Sequence, residues 1–169
     1  MELKLVIHPD ELLRDTSEKV RDINEEIVRL ADAMIETMHV SRGIGLAGVQ
    51  VGRLYRMFVT HVEDDRPRVF INPTIIETSV EMTEYDEGCL SIPAIYADVT
   101  RPEAIRVQAW NERGRPFKLD ADGLLARVIQ HENDHLNGVL FIDYLDEAVR
   151  ERVMAGYDPT VDPATASRR

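Results

Sequence analysis

The sequence predicts an α+β fold: antiparallel-rich sheets packed around a central helix, with one helix in the N-terminal half and a short helix near the C-terminus. Three observations carry this. A pattern of helical period covers residues 25–40, a series of short strand-like segments spans 56–119, and a second helical pattern opens at 122 or 123. That second pattern contains Gln130-His131-Glu132-Asn133-Asp134-His135, which sets two imidazoles on one helical face, four residues apart. The central helix is therefore expected to bear a metal. Neither an internal repeat nor a domain-scale linker interrupts the chain, so residues 1–155 are expected to form one domain and 156–169 a flexible tail.

Taken in order, residues 1–9 read as a strand, with Leu3, Leu5 and Ile7 alternating with polar neighbours until Pro9. Residues 10–14 read as one helical turn. Asn24 is a good N-cap, and Glu25 and Glu26 in the first turn suit the positive end of the helix dipole. Ile27, Leu30, Ala31, Met34, Ile35 and Met38 then fall on one face. Gly43, Gly45 and Gly48 follow in a turn that lacks either phosphate-binding pattern. Strands are expected at 56–61, 68–72, 75–82, 104–111 and 116–119. Residues 87–93 are read as a loop, because Pro93 restricts extended pairing. The second helix has Leu124, Leu125, Val128 and Ile129 as its apolar side, and Asn137-Gly138 ends it. A short strand at 140–142 and a last helix at 144–155, capped by Asp143 with Leu145, Val149 and Val153 inward, complete the reading.

Composition narrows the function classes. The chain has 169 residues, 44% hydrophobic and 30% charged, within the range of folded globular proteins. No apolar run approaches the ~20 residues of a membrane span, and the first residues are neither a signal nor a transit peptide, so a cytoplasmic location is expected. A net charge of −11 argues against broad affinity for nucleic acid. With Cys89 the sole cysteine, no disulfide partner is expected.

A catalytic metal site needs a third protein ligand and an open position. Asp and Glu are abundant, and His8, His39 and His61 are further candidates, but Cys89 stands between Gly88 and Leu90 beside Glu87 rather than in an apolar run. A thiolate with two imidazoles suits borderline-soft divalent ions such as Zn²⁺ or Fe²⁺.

Three segments together resemble the bacterial peptide deformylases. They are Gly43-Ile44-Gly45-Leu46-Ala47-Gly48-Val49-Gln50, Glu87-Gly88-Cys89-Leu90-Ser91 and Gln130-His131-Glu132-Asn133-Asp134-His135-Leu136, and the resemblance runs from about residue 3 to 155. It implies removal of the N-formyl group from the N-terminal formylmethionine of newly synthesised proteins, with release of formate. It implies Cys89, His131 and His135 as metal ligands and Glu132 as the proton carrier. Gln50 and the backbone N–H of Leu90 are implied as donors to the oxyanion. Fe²⁺ is the implied metal, with Zn²⁺, Ni²⁺ or Co²⁺ able to substitute. From helix face and loop position, Ile44, Leu124 and Val128 are expected either to touch substrate or to be plain core, and Gly45 to let backbone approach it. Glu87 is expected to orient a ligand or Arg101 or simply to flank its loop, and Asp134 to pair with a basic residue such as Arg101 or merely to cap or solvate its helix. Two departures from the family pattern stand out. Gly48 replaces the usual second alanine, and the C-terminal segment lacks the net positive charge of members that dock on the ribosome, so ribosome contact by that route is not expected. Two rival readings share the histidine motif: a zinc peptidase indifferent to Cys89, and a binding domain with a closed structural metal site.

Overall fold

The computed structural model describes residues 1–166. Five strands form an antiparallel sheet in the order β1 (Gly45–Ala47), β2 (Met57–Thr60), β3 (Arg68–Thr78), β6 (Ala104–Trp110) and β7 (Pro116–Asp122). The remaining two, β4 (Met82–Cys89) and β5 (Ile92–Pro102), form a separate antiparallel hairpin. The helices are α1 (Glu25–Val40), α2 (Gly123–His135), α3 (Glu147–Met154) and a final turn, α4 (Pro163–Ala166). The α+β reading, with antiparallel sheets around a motif-bearing helix, holds.

The side-chain alternation of β2 explains how the sheet is covered. Met57 and Val59 join Ile27, Leu30, Met34 and Met38 of α1 in one apolar cluster. Phe58, one residue out of phase, joins Phe70, Val107 and the α2 residues Ala126 and Ile129 in another. Successive strand side chains point to opposite faces, so α1 and α2 cover opposite faces of the sheet, and β2 is buried along its whole length. A third cluster joins Val99 of β5 to Leu13, Leu140 and Phe141. Helix α2 is thus held between the large sheet and the β4–β5 hairpin.

Helix α1 matches its expected bounds, and the Asn24 side chain accepts from the Ile27 N–H at 3.1 Å as a cap should. Several local expectations are corrected. Residues 1–7 form no strand; they run without a ladder, with Val6 N–H donating to the Gln50 carbonyl (2.7 Å) and His8 N–H to Ser91 (2.8 Å). Segments 68–72 and 75–82 are not separate strands. One strand, β3, runs to Thr78 through a register shift between Ile71 and Thr74, where Asn72 takes a positive φ of 51° and its side chain bonds the Val20 backbone in both directions at 2.8 Å. Residues 87–93 are not a loop, since β4 reaches Cys89 and β5 begins at Ile92. Pro93 does interrupt pairing: the ladder steps from Gly88↔Tyr96 to Cys89↔Ile92 and leaves 93–95 as a bulge, with Ala94 at φ 65°. Residues 141–144 form a 3-10 turn instead of a strand. Asp143 caps no helix; it accepts from Leu140 N–H at 2.9 Å and pairs with Arg14 at 2.6 Å, and Asp146 occupies the N-cap of α3. Arg168 and Arg169 of the expected tail lie outside the described residues.

Candidate metal centre and active-site cleft

Helix α2 delivers His131 and His135 from one face, and the end of β4 delivers Cys89 from the hairpin packed against it. One potential ligand atom from each of the three lies within 4.8 Å of the others. Cys89 Sγ is 3.3 Å from His135 Nε2. His131 Nδ1 is engaged by Glu87 Oε1 at 2.9 Å, which leaves its Nε2 to face the sulfur. A carboxylate on the far ring nitrogen fixes the tautomer and orientation of a ligand imidazole. Both rings are buried. Burial holds His135 well below the usual imidazole range; at His131 burial acts the same way, but the sulfur of Cys89 and the carboxylate of Glu87 outweigh it and raise the value. Two imidazoles and a sulfur at this spacing fit a tetrahedral ion with a position to spare.

Glu87 is the hub behind the ligands. Its side chain, 3% exposed, takes Arg101 Nε at 2.7 Å and Arg127 at 2.8 Å as well as His131. Burial opposes its ionisation, but the hydrogen bonds from His131 and Arg101 more than offset this and hold the carboxyl far below its usual range. Arg101 also pairs with Asp134 at 2.8 Å, Tyr144 donates to Asp134 at 2.7 Å, and the Arg101 guanidinium lies 4.6 Å from the Tyr144 ring centre. Of the two readings of Asp134, the structure has the ion pair. Arg127 was not foreseen. It donates to the Val99 carbonyl at 2.7 Å and the Thr83 carbonyl at 2.9 Å, tying α2 to both strands of the hairpin. Its signal in the sequence is a charge in the apolar run Leu124–Ile129, one helical turn before His131.

Glu132 is 4% exposed, and among the described residues nothing bonds its Oε2. Burial pushes its pKa up to about 7, against the neighbouring His131. The buried Gln50 is oriented unambiguously: the Ala47 N–H can only donate, so it must meet Oε1 (2.9 Å), and the amide NH₂ then turns to Ser91 Oγ (3.0 Å) and Cys89 Sγ (3.5 Å). Gly45 has a reason beyond close approach of backbone. A Cβ there would sit 2.5 Å from Glu132 Oε1 and 2.7 Å from Val128 Cγ1. Gly48, the departure from the family pattern, is packed similarly: a Cβ would meet the Arg53 carbonyl oxygen at 2.8 Å.

A cavity of about 60 Å³ is lined by Cys89, His131, Glu132, Gln50, Leu90, Ile44, Gly45 and Val128 among others. Leu124, half-buried at the start of α2, is not among the described residues lining it, because it lies one turn before Val128 and about two turns before His131. The bulge residues Pro93, Ala94 and Ile95 and the adjacent Tyr96 line it too, as do Pro163 and Ala166.

The model of the polypeptide deformylase family matches residues 2–151. The chain belongs to that family. A peptide deformylase of Borreliella burgdorferi is 46% identical over 156 residues, 92% of this chain and 94% of its own. One of Rhizobium meliloti is 49% identical over 154 residues, 89% and 88% of the two chains. Among solved structures, a peptide deformylase from Synechococcus elongatus in complex with actinonin superposes with a TM-score of 0.89 at 41% identity, covering 95% of this chain and 90% of that one. As a peptide deformylase the chain is a metal-dependent hydrolase that removes the N-formyl group from nascent polypeptides. Among the described residues, no helix is long and apolar enough to cross a membrane.

Proposed function

We propose that Cys89, His131 and His135 hold one divalent ion, that Fe²⁺ is the working metal, and that Zn²⁺, Ni²⁺ or Co²⁺ can replace it. The observation that carries this reading is the convergence of those three ligand atoms within 4.8 Å beside the unbonded, buried Oε2 of Glu132. The thiolate and imidazole donors suit iron and zinc alike; the preference for iron rests on the family resemblance. A divalent ion there would polarise the formyl carbonyl and lower the pKa of water from about 15.7 to about 7.

The chain's own residues supply the rest. Glu132 takes a proton from the attacking water as its oxygen bonds to the formyl carbon. The C–N bond then breaks, and Glu132 returns that proton to the departing amine, so the products are formate and a free α-amino group. A carboxyl with a pKa near working pH can do both. Negative charge growing on the formyl oxygen is met by the Gln50 amide and the Leu90 N–H, each such donor being worth about 3 kcal/mol. Ala47 and Ser91 hold Gln50 in place, and the amide hydrogen directed at Cys89 Sγ, a long contact of 3.5 Å, is the one that turns to the formyl oxygen. Glu87, braced by Arg101 and Asp134, keeps His131 presenting one nitrogen.

Ile44, Gly45 and Val128 form part of the substrate wall. Strand β1 is at the edge of its sheet, so its backbone is available to pair with an extended formylmethionyl peptide. The enzyme works in the cytoplasm on nascent chains as one catalytic domain.

The test is formate release from formyl-Met-Ala peptides by anaerobically purified, Fe²⁺-loaded protein, with metal content measured on the same sample. One metal per chain with formate release and no internal cleavage is the expected result. Absence of release from loaded protein refutes the proposal.

A further inference from the structure

The C-terminal residues lie beyond the family match, which ends at residue 151, yet they return to the cleft. Tyr157 anchors them: its hydroxyl donates to the His8 carbonyl at 2.8 Å, and its ring packs against the cluster of Leu13, Val99 and Phe141. Asp158 closes the next turn by accepting from the Thr160 N–H (2.9 Å) and hydroxyl (2.6 Å). Asp162 accepts from the Ala164 N–H at 2.9 Å and so starts α4. That turn is seated on the β5 bulge, where the Tyr96 hydroxyl donates to the Ala166 carbonyl at 3.2 Å. Val161, Pro163, Ala164 and Ala166 are half-buried, whereas Asp158, Pro159, Thr160, Asp162 and Thr165 are exposed. The segment therefore has an apolar side against the protein and a polar side toward solvent.

Pro163 and Ala166 share a cavity with Glu132, Gln50 and two of the candidate ligands, Cys89 and His131. Its enclosed part, about 60 Å³, is room for a handful of waters, so a bound peptide must run out of it along the open part of the cleft. An extended peptide on the β1 edge, with its formyl end at Glu132, needs space that the bulge and α4 now bound.

We propose that residues 158–166 form an intramolecular strap that competes with the substrate residues following formylmethionine, so that the enzyme discriminates among its substrates by what lies downstream of the first residue. This rests on the reading of the Glu132 cleft as the substrate site. The strap is suited to displacement: residues 158–166 include none that is fully buried, and among the described residues the side-chain hydrogen bond joining them to β5 is a neutral one, from Tyr96. Tyr157, half-buried against the cluster of Leu13, Val99 and Phe141, stays in place and keeps the strap tethered.

The test compares the full chain with a variant ending at Tyr157, both loaded with the same metal, on formyl-Met-Ala and on a formylated pentapeptide. The strap predicts that truncation lowers KM for the pentapeptide by about three- to tenfold, as expected when a closed state is removed. The values of kcat, and KM for the dipeptide, stay within about twofold by the same reasoning. An unchanged or raised pentapeptide KM overturns the proposal. If the full, metal-loaded chain releases formate from neither substrate, the reading of the site itself fails. Hydrogen exchange on the unaltered chain gives an independent readout that does not need a truncated protein to fold. Saturating unformylated product pentapeptide should speed exchange at the Ala164, Thr165 and Ala166 amides, and unchanged or slowed exchange there counts against the strap.

Discussion

The substitution Gly45→Ala tests how closely the proton carrier is positioned. A Cβ at residue 45 would lie 2.5 Å from Glu132 Oε1 and 2.7 Å from Val128 Cγ1, where ordinary contacts begin near 3.4 Å. Something must therefore move by roughly 0.9 Å. The β1 backbone is paired to β2 at Gly45↔Thr60, and Val128 sits on a packed helix, so the carboxylate is the group with freedom to yield. A 1 Å misplacement of a catalytic group costs on the order of 10²-fold in rate. The expected result is a fall of about that size in kcat for formate release, with metal stoichiometry retained. Folding stability should drop by about 1–3 kcal/mol, as for other overpacked sites. Stopped or continuous formate assays on metal-loaded protein, with urea denaturation alongside, separate the two effects. A variant whose kcat stays within about threefold of the parent would refute the reasoning, because the carboxylate would then be tolerant of the shift that the geometry imposes.

Replacing Glu132 by Gln removes the proton carrier but no ligand; formate release should fall at least about 10²-fold while metal content holds. Glu87→Gln leaves Arg101 and Arg127 without their shared carboxylate, and metal-free protein should lose about 3–5 kcal/mol at pH 7 in urea titrations. The pH dependence has a definite sign. The folded Glu87 carboxyl titrates below its ordinary value, so it contributes stability above that value, and the contribution is lost as pH falls through the depressed folded one. The acid limb of the stability curve should accordingly be shallower in the Gln variant than in the parent. Gly138→Ala puts a Cβ against the Arg14 carbonyl at a φ of 72°, and should lower stability by about 1–3 kcal/mol while leaving kcat of the folded fraction intact, as thermal melts and formate assays will report. Peroxide should inactivate Fe²⁺-loaded protein, since ferrous iron and its thiolate both oxidise; full activity after treatment would argue for another metal.

Much of this was legible in the sequence because the relevant signals are local. Asn24 with its two glutamates and the Ile27–Met38 face specify α1 without tertiary help, and His131 and His135 share a face by helical period alone. Cys89 is 42 residues from His131 in the chain, so its place depended on family resemblance until β4 brought it to α2. What escaped was set by non-local contacts. Pro73 and Pro93 look like strand ends in sequence, yet both strands absorb the interruption as bulges because neighbours on either side keep pairing. The N-terminal segment alternates like a strand through Ile7 but meets two different segments, at Val6 and His8, one backbone bond apiece, so no ladder forms. Arg127 hid in an apolar run because its partners Glu87, Val99 and Thr83 lie on a hairpin that the loop reading of 87–93 obscured. Leu124 was chosen from the same apolar run, but lies one turn too early to share the cavity.

The two backbone bonds from the N-terminal segment bear on the order in which this enzyme matures. Val6 reaches Gln50 and His8 reaches Ser91, while His8 also receives the Tyr157 hydroxyl. Residues 6 and 8 are thus stitched to Gln50 and to Ser91, two residues from the candidate ligand Cys89, and then to Tyr157, 149 residues away. Contacts of such long sequence separation form slowly and late. Until α2 has been made, Gln50 and Cys89 are available but neither imidazole, so metal capture and catalytic competence should both wait for that helix and arrive together.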